Sequence, residues 1–434
     1  MNVKQVAINL ISQVDKGAYS NIALNETFKT LNINSKEKAF MTEIFYGVLR
    51  NKKFLDYIIE KNTKEIKKEW IRNLLRISIY QITFMDSDNK GIVWEATELA
   101  KKYSIAISKF INGTLRNYLR NKDSELKNLA DEKNYEVLYS IPKWFYNILE
   151  KQYRNENLKQ AITSLKKVPY LSVRVNKLKY TEKEFEEFLK EKDIQIIKKV
   201  DTVYYINSGL IINSEEFKTS KIIAQDASSY LAAKNLEVIP NELVLDICAA
   251  PGGKTAVLAE NMENRGEIIA IDIHQHKIKL IDTNMKKLGI DIVKATVMDA
   301  RNVNKQGRKF DKILVDVPCS GYGVIRKKPE ILYSKNRENI EELAKLQLEI
   351  LNSAADILKD GGELIYSTCT ITDEENTNNI EKFLKEREEF KVEKLYILEN
   401  VSGDYDSLGG FCINYKEEIM DNFYIIKLKK GEKC

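Results

Sequence analysis

The stretch Asp246-Ile247-Cys248-Ala249-Ala250-Pro251-Gly252-Gly253-Lys254-Thr255 limits what this chain can fold into more than any other. The apolar run ahead of it reads as a buried strand that breaks into a glycine-rich turn and then a helix. Two glycines in a tight strand-to-helix turn let backbone N–H groups approach a ligand that a Cβ would keep away. Downstream, the pattern predicts further strands ending at Asp272, at Met298-Asp299, at Asp316-Val317-Pro318-Cys319 and at Ser367-Thr368-Cys369, with helices between them. Near-continuous apolar strands alternating with helices predict a parallel sheet covered on both faces, an α/β Rossmann-like domain. Ligands in such sheets bind beyond the carboxyl ends of the strands, where Asp246, Asp272, Asp299, Asp316 and Cys369 are expected.

Asp272 lies 20 residues past Gly252, the spacing at which a strand-end carboxylate reaches the ribose hydroxyls of a nucleotide-type cofactor. NAD would suit that geometry, but the turn lacks G-x-G-x-x-G, and hydride transfer has no use for two strand-end cysteines. Asp299 stands either to hydrogen-bond an adenine edge or as an ordinary helix N-cap. A nucleotide-like cofactor beside Cys319 and Cys369 points to methyl transfer onto a pyrimidine carbon. Carbon 5 of cytosine is not nucleophilic until a thiolate adds at carbon 6, and that addition needs an activated cysteine and an acidic partner. Asp316 and the two cysteines supply those parts, and residue chemistry alone leaves open which thiol attacks. An adenine N-methyltransferase tends to show Asn/Asp-Pro-Pro-aromatic instead, and Cys319 stands where its second proline would be.

At 434 residues, with 43% hydrophobic and 31% charged content, the chain can build two or three globular cores. Its net charge of +5 is uneven: residues 1–140 carry +6, residues 141–240 carry +4 and residues 241–434 carry −5. Basic character ahead of the glycine turn suits a front half that tracks phosphates. The cysteines (Cys248, Cys319, Cys369, Cys412 and Cys434) form no C-x-x-C pair, and His274 and His276 are the sole histidines, so no metal site is expected. Cys248 is expected to pack, Cys412 and Cys434 to be incidental, and both histidines to be exposed. The N-terminus lacks a signal-peptide apolar core, and no apolar run reaches the ~18 residues of a membrane span, so a cytoplasmic chain without membrane contact is expected.

Residues 1–140 read as helix after helix. Val6, Leu10 and Val14 share one face, and Leu74, Ile77, Ile79 and Ile82 continue dense helical patterning. Arg50, Lys52, Lys53, Arg116, Arg120 and Lys122 punctuate these helices, each explicable as a solvated face. Pro142 marks a boundary. Leu171–Asn176 then alternates like a strand, Thr181 with Glu184 forms a capping box, and short strands follow to Ile206. A small α+β module, ferredoxin-like, is expected over 141–235, and the methyltransferase domain over 236–434.

Together these motifs resemble the RsmB/Sun (Fmu) family of ribosomal RNA cytosine-5 methyltransferases over nearly the whole chain. Gly17-Ala18-Tyr19-Ser20-Asn21, Phe45-Tyr46-Gly47-Val48-Leu49-Arg50 and Phe110-Ile111-Asn112-Gly113-Thr114-Leu115-Arg116-Asn117 are similar to its NusB-like all-α domain. Arg174-Val175-Asn176, Gln225-Asp226-Ala227-Ser228-Ser229 and Tyr366-Ser367-Thr368-Cys369-Thr370 with Glu374-Glu375-Asn376 match the remainder. Relatives directed at tRNA share the catalytic motifs but usually lack the NusB-like front. The resemblance implies that Cys248, Ala249, Ala250, Pro251, Gly252, Gly253, Lys254, Asp272, Asp299 and Asp316 contact S-adenosylmethionine or the target. It implies that Cys369 is the nucleophile, that Cys319 assists product release and that Lys254 positions Asp316. It further implies action on small-subunit (16S) rRNA, and a monomer is expected. The same chemistry on tRNA and a non-catalytic RNA-binding or transcription factor are the alternatives. Two departures stand out: Lys328, within Arg326-Lys327-Lys328-Pro329-Glu330, replaces a family histidine, and Asn422 replaces a family glycine.

Overall fold

A computed structural model describes residues 2–132 and 134–432, in two compact units. The first comprises Met1–Lys166 with Ile325–Asn336, and the second Lys167–Val324 with Arg337–Cys434. Cys434 lies outside the described residues.

Among its described residues the first unit is helical without a strand, from Val3–Asp15 to Glu156–Lys166. Asn2 caps the opening helix by accepting from the Lys4 and Gln5 amides, and Asn34 and Glu37 close a capping box on Ser35–Arg50. The opening helix buries Ala7, Leu10, Ile11 and Val14, so its inward face is centred one residue beyond the expected Val6 stripe. Helix Glu69–Phe84 buries Leu74, Leu75, Ile77, Ile79 and Ile82 on several sides, as a helix surrounded by others must. Each such side chain contributes about 1.5–3 kcal/mol by leaving water.

Of the basic residues, Arg50 is buried, which overturns the solvated-face expectation for it, while Lys52 and Lys122 are half-buried and engaged with partners. Arg50 is buried and donates to the Arg326 carbonyl, Lys52 pairs with Asp15 at 2.6 Å, and Lys122 donates to the Ile82 carbonyl at 2.9 Å. Arg116 and Arg120 are exposed as expected. The segment Ile325–Asn336 is bound into this unit by further contacts. Glu330 accepts from the Ser20 amide at 3.0 Å, Tyr333 donates to the Ser140 carbonyl, and the Lys52 ammonium lies over the Tyr333 ring. Lys328, the first family departure, sits in this segment.

The second unit opens with β1 (Leu171–Val175), β2 (Ile196–Val200), β3 (Val203–Ile206) and β4 (Ile222–Ala224) in antiparallel order β2-β3-β1-β4. Helix Glu182–Glu191, with the expected Thr181–Glu184 capping box, buries Phe185 and Leu189 against Val173, Val175 and Tyr204. This is the small α+β module.

The larger sheet contains β5 (Leu243–Ile247), β6 (Glu267–Asp272), β7 (Val293–Val297), β8 (Phe310–Asp316) and β9 (Leu358–Thr368), followed by β10 (Phe390–Glu393), β11 (Asp404–Tyr405), β12 (Phe411–Ile413) and β13 (Phe423–Lys430). Its order is β11-β12-β13-β9-β8-β5-β6-β7, with β10 paired to β13. Strands β7, β6, β5, β8 and β9 are parallel, whereas β13 runs antiparallel to β9 and carries β10 and β12 antiparallel to itself. The sheet is therefore mixed, where the strand–helix alternation pointed to a parallel one. Beyond helix Thr377–Glu386 the chain makes short strands without intervening helices, and antiparallel pairing is what such connections allow. Strand order reverses at β5, which lies between β8 and β6. A ligand crevice is expected at that switch point.

Candidate active site

The carboxyl ends of β5, β6, β8 and β9 converge on a cavity of about 550 Å³. Asp272, Asp299, Asp316, Cys319 and Cys369 line it, and the glycine turn contributes Cys248 and Ala250. Ala249, Pro251, Gly252, Gly253 and Lys254, expected at the cofactor, are not among its lining residues. Gly252, at φ +98°, is the N-cap of helix Gly253–Asn261, and a Cβ there would lie 2.9 Å from the Met285 methyl. Its glycine is thus required by left-handed backbone and by packing against helix Gln275–Leu288. A Cβ at Gly253 would meet only the Gln225 amide at ordinary contact distance.

Parallel register sets Asp316 beside Ser367 and Ile247 beside Ile271, so the functional side chains leave the sheet at one level. Asp316 accepts from Lys254 Nζ at 2.8 Å and from Ser367 Oγ at 2.7 Å, which orients its carboxylate at the cavity wall. Burial works against the Lys254 ammonium, yet Asp316, Cys369 and Asp246 together outweigh it and raise its pKa. Lys254 is therefore a fixed positive charge near Cys369. Asp272, almost fully buried, accepts from the His274 amide and pairs with Lys277. Asp299 is the N-cap that was one of its two expected roles, and it also borders the cavity. It caps the turn Ala300–Gln306 through the Arg301 amide, and Arg301 holds its carboxyl below the usual range while it still borders the cavity.

The thiols divide by environment. Cys319 Sγ and Cys369 Sγ are 3.1 Å apart, although 50 residues separate them in sequence. Hydrogen bonding to Cys369, then burial, then the neighbouring Glu375 and Asp316 raise the Cys319 thiol well above its ordinary pKa. Burial, with Asp316, Asp272 and Asp246 adding to it, pushes the Cys248 thiol up to about 12. Cys248 is thus held as a thiol, packed against the core as expected, and it also borders the cavity. Burial likewise raises Cys412 to about 12. Among the described residues no group of side chains is arranged to hold a metal ion, and no helix is long and apolar enough to cross a membrane.

Residue reasoning missed several contributors. His274 borders the cavity though it is exposed, as do Ile273, Lys277 and Met298. Position immediately after the β6 carboxylate was the available signal for Ile273 and His274. Gly323 was also missed: a Cβ there would lie 2.1 Å from the Asn422 carbonyl and 2.8 Å from that of Cys369. The Gly323 amide donates to the Cys369 carbonyl at 2.9 Å, closing the Cys319 loop on the Cys369 loop. Asn422, the second family departure, is buried and does not have a positive φ, so its side chain costs no backbone strain.

Family models match in the order the fold presents. NusB matches residues 1–120, the ferredoxin-like domain of RsmF/B-like methyltransferases matches 141–215, and the 16S rRNA methyltransferase RsmB/F model matches 233–429. The probable ribosomal RNA small subunit methyltransferase B of Bacillus subtilis is 34% identical over 90% of this chain and 90% of its own. The chain belongs to the RsmB family of ribosomal RNA methyltransferases. Ribosomal RNA small subunit methyltransferase B of Shewanella oneidensis is 32% identical over 99% of this chain and 100% of its own. The crystal structure of PH0851 is 29% identical and is similar over 99% of both chains, with a TM-score of 0.83. S-adenosylmethionine is the methyl donor of an RsmB-type enzyme, and the cavity fits it. Asp272 puts a buried carboxylate on its wall, and Ile273 and Met298 give it apolar surface.

Asp246 gives this RsmB-type site a pH-dependent element. It is fully buried at the end of β5 and accepts from Thr255 Oγ1 at 2.6 Å, and burial, with Asp316 adding to it, raises its pKa to about 7. A carboxyl whose folded pKa exceeds its unfolded one binds its proton more tightly in the native state. Its stabilising contribution is complete below about pH 4 and is lost as pH rises through 7. Asp246→Asn is therefore expected to be more stable than the parent at pH 8, by roughly 1–3 kcal/mol, with the difference vanishing near pH 4. Urea midpoints at pH 4.5, 6 and 8 check this, and a pH-independent difference would reject it.

Proposed function

We propose that the chain methylates carbon 5 of a cytosine in small-subunit ribosomal RNA through a covalent adduct on Cys369. The observation that carries this is the pair of thiols 3.1 Å apart beside an Asp316 held by Lys254. When bound against Asp272, Ile273, Asp299 and the Cys248–Ala250 turn, S-adenosylmethionine supplies an electrophilic methyl group.

With the proton of the pair on Cys319, the Cys369 sulfur is the thiolate, and the Lys254 charge favours that distribution. Cys369 Sγ adds to carbon 6 of the cytosine, forming a C–S bond and making carbon 5 an enamine-like nucleophile. Asp316 accepts from the exocyclic amino group of the cytosine, and the Lys254 charge it holds offsets the negative charge that develops on the ring nitrogen. Carbon 5 takes the methyl group, and must then lose its proton before the C–S bond can break. Alkylation of Cys369 removes the leading cause of the raised Cys319 pKa at the step where a base is needed. The Cys319 proton passes to solvent, the resulting thiolate accepts the carbon-5 proton, and elimination returns Cys369 to its thiolate form. The basic, helical first part of the chain is the natural contact for RNA phosphates.

The test is mass-spectrometric mapping of unmodified small-subunit rRNA after incubation with the protein and deuterium-methyl S-adenosylmethionine. One labelled 5-methylcytosine is the expected result. Label in tRNA alone would move the substrate and keep the chemistry. RNA binding without label in either would favour a non-catalytic factor.

A further inference from the structure

We propose that Glu375 is a positioning residue that sets the Cys319–Cys369 separation and so delivers the second thiol to the adduct formed on the first. Its side chain is completely buried and, within the second unit, reaches both cysteine loops. Oε1 accepts from the Ser320 amide at 2.8 Å and from Gln347 Nε2 at 2.9 Å. Oε2 accepts from the hydroxyls of Ser320 and Thr372, the latter at 2.7 Å. Ser320 follows Cys319 directly, and Thr372 lies three residues past Cys369. Gln347 uses its amide a second time to hold the Pro318 carbonyl at 2.9 Å, so Cys319 is gripped on both sides. The hydroxyls of Thr370 and Ser320, each next to a cysteine, are joined at 2.6 Å.

A carboxylate is the one side chain that satisfies this arrangement, because every neighbour presents an N–H or O–H. Glutamine would turn a donor toward two hydroxyls or an amide and break part of the grip. A buried glutamate that merely stabilised the loops would not need to bracket the cysteine from both directions. Nor would it couple to the Cys369 side through a second hydroxyl pair. No cation takes part, so the bracket does not compete with Lys254 for charge.

The delivery part rests on the covalent reading above, so two readouts are needed. The first is oxidation of the thiol pair by diamide. Cys319 and Cys369 lose two hydrogens and form an S–S bond, while the azo N=N is reduced to a hydrazine. The loss of 2 Da in the linked peptides gives the rate. Glu375→Gln is expected to slow it at least tenfold, with S-adenosylmethionine affinity within about twofold of the parent. The second is turnover on rRNA, where kcat should fall at least tenfold at nearly constant KM, with denaturation-resistant protein–RNA adduct accumulating as in Cys319→Ala. An unchanged disulfide rate overturns the positioning role whatever the chemistry. Slowed oxidation with adduct in Cys319→Ala but none in Glu375→Gln overturns the delivery role. Slowed oxidation with no adduct in either variant supports the positioning and overturns the covalent reading. Should Glu375→Gln not fold, Thr372→Val and Ser320→Ala each remove one hydroxyl donor. Parent-like oxidation in both would then reject the inference.

Discussion

Cys319→Ala is expected to convert a turning-over enzyme into one that stalls on its RNA. The variant retains Cys369 beside the Lys254 charge, so attack at carbon 6 and transfer of the methyl group proceed. It lacks the group that removes the carbon-5 proton, so the C–S bond persists. A band of protein-plus-RNA mass should survive denaturation, contain label from the methyl donor, and approach one adduct per active site. Multiple turnover should fall by roughly a thousandfold or more, in the range lost when a general base is deleted. Alanine removes a sulfur from a partly buried loop that Glu375 and Gln347 still hold, so folding should be little altered. Adduct that accumulates with Cys369→Ala instead would reverse the two roles.

Cys369→Ala is expected to abolish the reaction at its first step. Without a thiolate at carbon 6 there is no enamine, and carbon 5 of cytosine has no other route to nucleophilicity. Cys248 is no substitute, since burial and three nearby carboxylates hold it as a thiol. The methyl-transfer rate should drop by about four orders of magnitude or more, as for other deleted nucleophiles. No adduct should form, and S-adenosylmethionine binding, measured by calorimetry, should be unchanged within about twofold because Asp272 and Asp299 are untouched. The double variant should behave as Cys369→Ala alone, because release cannot matter where attack does not occur. Label incorporation by Cys369→Ala at a tenth of the parental rate would sink the covalent mechanism.

The two outcomes rest on features of different legibility. The strand–turn–helix at Asp246–Thr255 and the carboxylates closing β6 and β8 are written in local pattern, because apolar period and turn chemistry act over a few residues. The cysteines were visible as strand-end residues for the same reason. What could not be read is how the ends meet. Asp299 illustrates the limit: along the chain an N-cap looked like the alternative to a ligand role, yet the capping side chain also stands on the cavity wall. Arg50 and Lys52 illustrate another, since a charge on a helix looks solvated until its partner, distant in sequence, is known. The antiparallel β13, inserted between β9 and β12, was likewise hidden, because pairing direction is set by connections rather than by the strand's own residues.

By itself, then, the sequence determined the helical front, the α+β module, the βα alternation with its glycine turn, and the residue types offered at each strand end. These follow from short-range periodicity and from steric rules that need no neighbours. Only the tertiary structure decided that Cys319 and Cys369 stand 3.1 Å apart, and that Glu375 holds both of their loops. It alone decided that Ile325–Asn336 is bound into the helical unit rather than the one that flanks it in sequence. Those facts are contacts across tens to hundreds of residues. Their energy comes from burying and pairing groups that the chain brings together only when it folds.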